Sequence, residues 1–223
     1  MSISENLEKF NKELPDSVTL VAVSKTKPVS DLMEAYNKGQ RIFGENKIQE
    51  MEAKWQEMPK DIQWHMIGHV QRNKVKYMAP FVSLIHAVDS LKLLKEINKE
   101  AEKNQRTIAC LLQIKIAEED SKFGMDEADA ENLLFSEELR KLQNIKIVGL
   151  MGMATFTDDE KQISEEFKKL KKIFDTFKAK AQKLEKTFEI LSMGMSSDYK
   201  LAIENGSNMV RVGSAIFGER NYN

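Results

Sequence analysis

Leu20-Val-Ala-Val-Ser-Lys-Thr-Lys-Pro28 begins as an apolar, partly β-branched run and then stops at two lysines and a proline. That is the pattern of a buried strand and its exit. Side chains alternate along a strand, so Val21, Val23 and Lys25 share one face, with Leu20, Ala22 and Ser24 on the other. A lysine that continues an apolar face must reach solvent, pair with an anion, or lose its charge by chemistry. Read alone, the stretch favours a lysine that snorkels from the strand end. The rest of the chain reverses that reading.

Working outward, the strand signal recurs with helices between. Upstream, Ser2 or Ser4 caps a helix carrying Ile3, Leu7, Phe10 and Leu14, and Pro15 ends it. Downstream, Pro28 and Ser30 lead into a helix over 31–38 closed by Gly39. Further strands are expected over 41–46, 63–68, 83–89, 107–116, 145–151, 188–192 and 209–213. Helices are expected between them, over 48–58, from about 73, over 91–104 behind the cap Ser90, near 126–142, over 160–185 and over 198–205. Eight alternating units without a Pro- or Gly-rich linker call for a parallel sheet closed into a (β/α)8 TIM barrel. An open doubly wound sheet is the alternative, but it rarely carries so many evenly spaced units in so few residues. Little chain follows Phe217, so the helix before the first strand is expected to cover that gap in the outer ring. The expectation is one domain over residues 1–223, an α/β barrel with an extra N-terminal helix and no second domain.

Composition narrows the partners. Charged residues make up 31% yet nearly cancel, leaving a formal net charge of -1, so nothing attracts nucleic acid or an anionic membrane globally. Cys110 is the only cysteine, which excludes a disulfide framework or a cysteine zinc cluster, and its apolar run reads as a buried small hydrophobe. Neither a signal-peptide core nor a membrane-length apolar run is present, so a reducing, cytoplasmic setting is expected. His65 and His69 are four apart on a strand and its exit, too far to chelate one metal, and no metal is expected. His86 reads as a strand residue near the barrel mouth.

In a parallel barrel the functional face is where the strands end, and phosphate is often held by the loops after strands seven and eight. Leu191-Ser-Met-Gly-Met-Ser-Ser197 supplies hydroxyls and free N–H groups leading to a helix N-terminus. In Gly213-Ser-Ala-Ile-Phe-Gly218, Gly213 lets the backbone approach a ligand. Arg211 shares a strand face with Met209 and Gly213, and a guanidinium is excluded from the sheet–helix layer, so it should point into the barrel mouth. An ion pair with Glu45 or Asp89 is the plainer alternative. A lysine, an arginine and a phosphate cradle meet the needs of pyridoxal phosphate. A Schiff-base sugar-phosphate enzyme would need only the lysine and the phosphate site, plus an acid–base pair that is not evident.

Val21-Ala-Val-Ser-Lys-Thr-Lys-Pro28, Phe43-Gly-Glu-Asn46, Trp64-His-Met-Ile-Gly-His69, Leu191-Ser-Met-Gly-Met-Ser196 and Val210-Arg-Val-Gly-Ser-Ala-Ile-Phe-Gly218 closely resemble the pyridoxal phosphate homeostasis protein family. That family is related to the barrel domain of alanine racemase. The resemblance implies pyridoxal 5′-phosphate as cofactor, Lys25 as the Schiff-base lysine and Arg211 facing the pyridine nitrogen. It further implies Ser196, Gly213 and Ser214 at the phosphate, with Ser192 and Asn46 lining the site. Lys115 stands where the family tends to carry Asn, and alternation with Leu111 and Gln113 would make it a second amine near the mouth. Lys122 matches a family lysine in a loop.

Arginine only donates, so Arg211 cannot protonate a pyridine ring, which disfavours most carbanion chemistry but is tolerated in racemases. A racemase also needs an acid–base group on each side of its substrate and a site closed to water. Tyr36, Tyr77, Tyr199 and Tyr222 all fall on helices or the terminus. The expectation is therefore a non-enzymatic monomer that holds and delivers pyridoxal phosphate, with apo-enzymes that accept it as partners and an influence on amino-acid and keto-acid balance. A racemase-like enzyme remains the alternative. The helix around 168–183 reads as a solvated outer face over a buried stripe of Phe167, Leu170, Phe174 and Phe177.

Overall fold

The computed structural model describes residues 2–118, 123–184 and 187–219. Lys122 and Tyr222 therefore lie outside the described residues. The strands are β1 (Thr19–Val23), β2 (Ile42–Glu45), β3 (Gln63–Met66), β4 (Val82–Val88), β5 (Ile108–Gln113), β6 (Ile145–Met151), β7 (Ile190–Met195) and β8 (Met209–Val212). Each pairs in parallel with the next, and β8 returns to β1 with Val21 opposite Arg211, so the barrel is closed as expected.

The two faces of these strands feed two separate apolar layers. Val21, Leu84, Ala87, Leu111, Met151 and Met209 point inward and fill the barrel. Leu20, Ala22, Phe43, Trp64 and Val210 point outward and pack under the helices. The helices are α1 (Ile3–Glu13), α2 (Val29–Asn37), α3 (Ile48–Glu57), α4 (Val75–Met78, after a 3₁₀ turn), α5 (Leu91–Lys103), α6 (Glu127–Leu134), α7 (Glu137–Arg140), α8 (Glu160–Gln182), α9 (Tyr199–Glu204) and α10 (Ser214–Phe217). Ser2 caps α1 in a reciprocal box with Glu5. The buried stripe of α8 includes the four residues its spacing indicates, Phe167, Leu170, Phe174 and Phe177. No helix among the described residues is long and apolar enough to cross a membrane.

Among the described residues after β8 the chain makes the single turn of α10, and α1 packs beside it, with Asn6 Nδ2 donating to the Ile216 carbonyl at 2.9 Å. The N-terminal helix thus takes a place in the outer ring beside α10. Three local expectations are corrected. The helix expected near 126–142 is two, because Ser136 stops the first turn series and caps the second, accepting from Leu139 N at 3.1 Å. The fifth strand ends at Gln113 rather than Ile116, after which Ile114 makes only an isolated bridge to Met125. The seventh strand runs on to Met195 through Gly194, whose φ of +94° bends it. Much of the expected phosphate loop is therefore strand.

Candidate functional site

At the C-terminal end of the barrel is a cavity of about 510 Å³. Its wall includes Lys25, Lys27, Asn46, His69, Ser196, Arg211, Gly213 and Ser214. Among the described residues no carboxylate lines it, so their charged side chains here are basic.

Lys25 reaches this wall because β1 ends at Val23 and the chain turns sharply just beyond. Thr26 takes the left-handed conformation, φ +64°, which costs an L-residue with a branched Cβ about 1–2 kcal/mol. The turn is held from behind. Lys54 of α3 donates to Ser24 O at 2.8 Å, to Glu45 Oε1 at 2.7 Å and to Glu50 Oε1 at 2.7 Å. Glu50 Oε1 in turn accepts from Thr26 N at 2.6 Å, and the Ser24 hydroxyl donates to Glu45 Oε1 at 2.6 Å. Residues 24 and 26 are thereby fixed on either side of Lys25. Burial pushes the Glu45 carboxyl above its ordinary pKa, with Lys54 and Ser24 pulling it back. Lys27, the other lysine of the stretch, donates to the carbonyls of Phe217 and Glu219 and ties the start of the barrel to its end.

Arg211 lies across the floor and is 4% exposed. Its Nη1 donates to Ser192 O at 2.9 Å and Ser192 Oγ at 2.7 Å, and its Nη2 donates to Gly152 O at 3.1 Å. Burial lowers its pKa to about 10, against a favourable pull from Asp198, so it stays protonated at neutral pH. The ion pair with Glu45 or Asp89 does not form: Glu45 is bound to Lys54, and Asp89 faces His69 at 3.7 Å. Just beyond Arg211, Ser196 Oγ accepts from Gly213 N at 3.1 Å, joining the ends of β7 and β8. A side chain on Gly213 would bring its Cβ within 3.1 Å of Val23 O. The rim is apolar and open, with Phe123 stacked on His69 at a centroid distance of 4.5 Å and Phe156 87% exposed.

A family model described as alanine racemase, N-terminal domain, matches residues 1–221. The pyridoxal phosphate homeostasis protein of Vibrio alginolyticus is 36% identical over 236 residues, covering 99% of each chain. The chain belongs to the pyridoxal phosphate homeostasis protein family. Its relatives in this family include the mouse protein, 37% identical over 99% of this chain and 84% of that one. A solved structure of PipY from Synechococcus elongatus PCC7942, without PLP, superposes with a TM-score of 0.91 at 36% identity, over 97% of this chain and 100% of that one. A second PipY structure, with PLP bound, gives 0.88 at 35% identity with the same coverage. Alanine racemase of Clostridium difficile 630 gives 0.79 at 15% identity over 58% of its length, a likeness of fold alone.

Against this family's motifs, the cavity brings together Lys25, Asn46, Ser196, Arg211, Gly213 and Ser214. Ser192 is the exception. It is fully buried and sits under Arg211 instead of on the wall: its register partner on β8 is Met209, two residues before Arg211. Lys115 is likewise absent from this wall and lines a neighbouring groove with Asp89, Asp126 and Asp129. Alternation fails there because the chain past Gln113 pairs with the segment at Met125, Lys115 N donating to Met125 O at 2.9 Å. Sequence reading also missed His69 on the wall and the buried pair His65–His86 beneath the floor. The Trp64-His-Met-Ile-Gly-His69 motif was the available signal for both.

Proposed function

We propose that this protein binds pyridoxal 5′-phosphate in the cavity at the barrel mouth, with Lys25 holding the aldehyde covalently. The observation that carries the reading is a wall combining the Lys25 amine, the Arg211 guanidinium and the Ser196–Gly213–Ser214 edge, with no carboxylate among the described lining residues. The volume of about 510 Å³ suits a small anionic cofactor. Glycine at position 213 fits backbone donors that must come close to phosphate oxygens. Arg211 would face the pyridine nitrogen, Asn46 would line the ring side, and Ser192 would act beneath Arg211 rather than on the ligand. The PipY structure with PLP bound supports the same ligand class.

The role we infer is holding and delivery, serving pyridoxal phosphate homeostasis and so amino-acid and keto-acid balance. When bound, pyridoxal phosphate supplies an electron sink, which a protonated pyridine ring deepens. Arg211 is donor-only and spends three hydrogen bonds on the barrel, so it orients the ring without protonating it. His69, with Asp89 behind it, is the one imidazole on the wall, and racemisation needs a proton-transfer group on each face. Tyr36 is bonded to Asp61 and Tyr199 to Glu13, both away from the cavity. The exposed rim supports transfer to apo-enzymes that accept the cofactor. Residues 1–223 act as one cofactor-binding unit, a monomer, and the buried thiol of Cys110 suits a reducing cytoplasmic setting.

Borohydride reduction of the loaded protein followed by peptide mass mapping tests this. A phosphopyridoxyl adduct on Lys25 is expected. An adduct confined to Lys27, Lys115 or Lys122 would overturn the anchor, and absence of colour and adduct would favour a sugar phosphate. Racemisation by pure protein that disappears in Lys25→Ala would overturn the non-enzymatic part.

A further inference from the structure

Beneath the cavity floor a file of polar groups crosses the otherwise apolar barrel. Arg211 of β8 donates to Ser192 Oγ of β7 at 2.7 Å. Ser192 Oγ lies 3.1 Å from His86 Nδ1 of β4, and His86 Nε2 lies 3.1 Å from His65 Nδ1 of β3. All four side chains are buried, with Leu84, Leu111, Met151 and Met209 as inward-facing apolar neighbours. Polar groups are kept in such surroundings only when their hydrogen bonds are satisfied.

The donor–acceptor order along the file follows from one end. A guanidinium only donates, so Ser192 Oγ accepts from Arg211. The hydroxyl has a single proton, and among the described residues its other partner within bonding distance is His86 Nδ1. Donating that proton to His86 Nδ1, which must then be the unprotonated acceptor, puts the ring proton of His86 on Nε2. His86 Nε2 then donates to His65 Nδ1, and His65 carries its own proton on Nε2. Each bond is satisfied, and every proton points away from Arg211. Burial favours the neutral form of both rings, which this order requires.

We propose that His86, backed by His65, is a positioning residue for Arg211: it keeps the Ser192 hydroxyl turned as an acceptor toward the guanidinium and so fixes the face that Arg211 presents to the cavity. A pair of histidines serving only to fill the barrel would need neither a fixed tautomer nor a link to Arg211. The consequence for ligand binding rests on the pyridoxal phosphate reading above, whereas the proton order does not.

The test has two arms. Long-range ¹H–¹⁵N correlation spectra of the ligand-free full chain, with ¹⁵N-labelled histidine, should show His65 and His86 as neutral Nε2–H tautomers. Ser192→Ala should release the fixed tautomer of His86. An Nδ1–H form of either ring in the native chain, or unchanged spectra in Ser192→Ala, would overturn the proton order. In the second arm, His86→Leu should weaken pyridoxal phosphate binding about tenfold and move the absorption band of the bound cofactor. His86→Asn, whose carboxamide oxygen falls near the place of Nδ1, should restore most of both. Combining His86→Leu with Ser192→Ala should add little to either alone, since both break the same link. If His86→Leu does not fold, Ser192→Ala and His86→Asn carry the comparison. Native affinity and an unmoved band in these variants would sink the positioning role while leaving the Lys25 anchor intact. Failure of the native chain to take up pyridoxal phosphate would sink the cofactor reading, and the spectra would still decide the proton order.

Discussion

Lys54, on the outer helix α3, donates to the carbonyl oxygen of Ser24 at 2.8 Å and so braces the residue just before Lys25. The same ammonium neutralises Glu45, whose other oxygen, Oε2, is buried with no hydrogen-bond partner among the described residues. Replacing Lys54 by Met should destabilise the protein by about 3–5 kcal/mol at neutral pH, because a buried carboxylate loses its counter-charge. Glu45 already has a raised pKa, and losing Lys54 removes the main force holding it down. A raised carboxyl is favoured when protonated, so the deficit should narrow as the pH falls through the raised value toward 4.5. Urea unfolding of both proteins at pH 7 and pH 5 measures this, and an equal deficit at both would contradict it.

Acid should weaken the native chain through its buried histidines. Burial lowers the pKa of His65 to about 3, against about 6.5 in an unfolded chain. Its stabilisation is complete above that unfolded value and is lost as the pH falls from 6.5 toward 3, roughly 2 kcal/mol by pH 5. His86 shifts in the same direction and adds to the loss. The pH dependence of stability between pH 7 and 5 should therefore flatten in His65→Asn, which cannot titrate there.

Two glycines on the cavity wall should differ sharply. A Cβ on Gly68 would sit 2.5 Å from Asn46 O, a backbone atom that cannot swing aside, whereas one on Gly213 would meet Val23 O at 3.1 Å. Gly68→Ala should cost several kcal/mol and displace Asn46, while Gly213→Ala should cost about 1–3 kcal/mol. Denaturant midpoints and pyridoxal phosphate titrations of the two variants compare them directly, and equal effects would show that the β2 and β8 exits yield alike.

Much of the fold was legible because each strand carries its own period-two signal and each helix its own stop. The inward direction of Lys25 and Arg211 could be read the same way, since both continue the face of residues that fill the barrel, Val21 and Met209. What could not be read depended on where a strand stops or which strands meet across the barrel. Alternation gives Lys115 an inward direction, but past Gln113 the chain pairs with Met125, a contact the local sequence does not announce. Ser192 comes to the site by resemblance alone, and only its pairing with Met209 shows that it lies one layer below Arg211. Lys54 looks like any helix surface lysine until α3 is laid against the exit of β1, and His65 becomes a partner of His86 only when β3 and β4 close side by side.

Thr26 offers a last comparison of local and tertiary forces. Glycine at this position would remove the left-handed penalty of about 1–2 kcal/mol but make the unfolded chain more flexible by roughly 0.5–1 kcal/mol. Thr26→Gly should therefore leave stability within about 1 kcal/mol of the native chain. Thr26→Val, equally branched and without the hydroxyl, should match threonine if Glu50 binds the backbone alone, as its bond to Thr26 N indicates. Thermal unfolding of the two variants separates backbone strain from side-chain chemistry.

The pairing of Val21 with Arg211 joins nearly the two ends of the sequence. It is among the most non-local contacts in the molecule, and such contacts lower folding rates because the intervening chain must be ordered before they are rewarded. Lys25 and Arg211 stand on either side of that seam. A chain that has assembled β2 through β7 but not closed the ring would hold the His65–His86 contact while lacking a usable binding site. During refolding, cofactor capture would therefore time the closure of the ring itself.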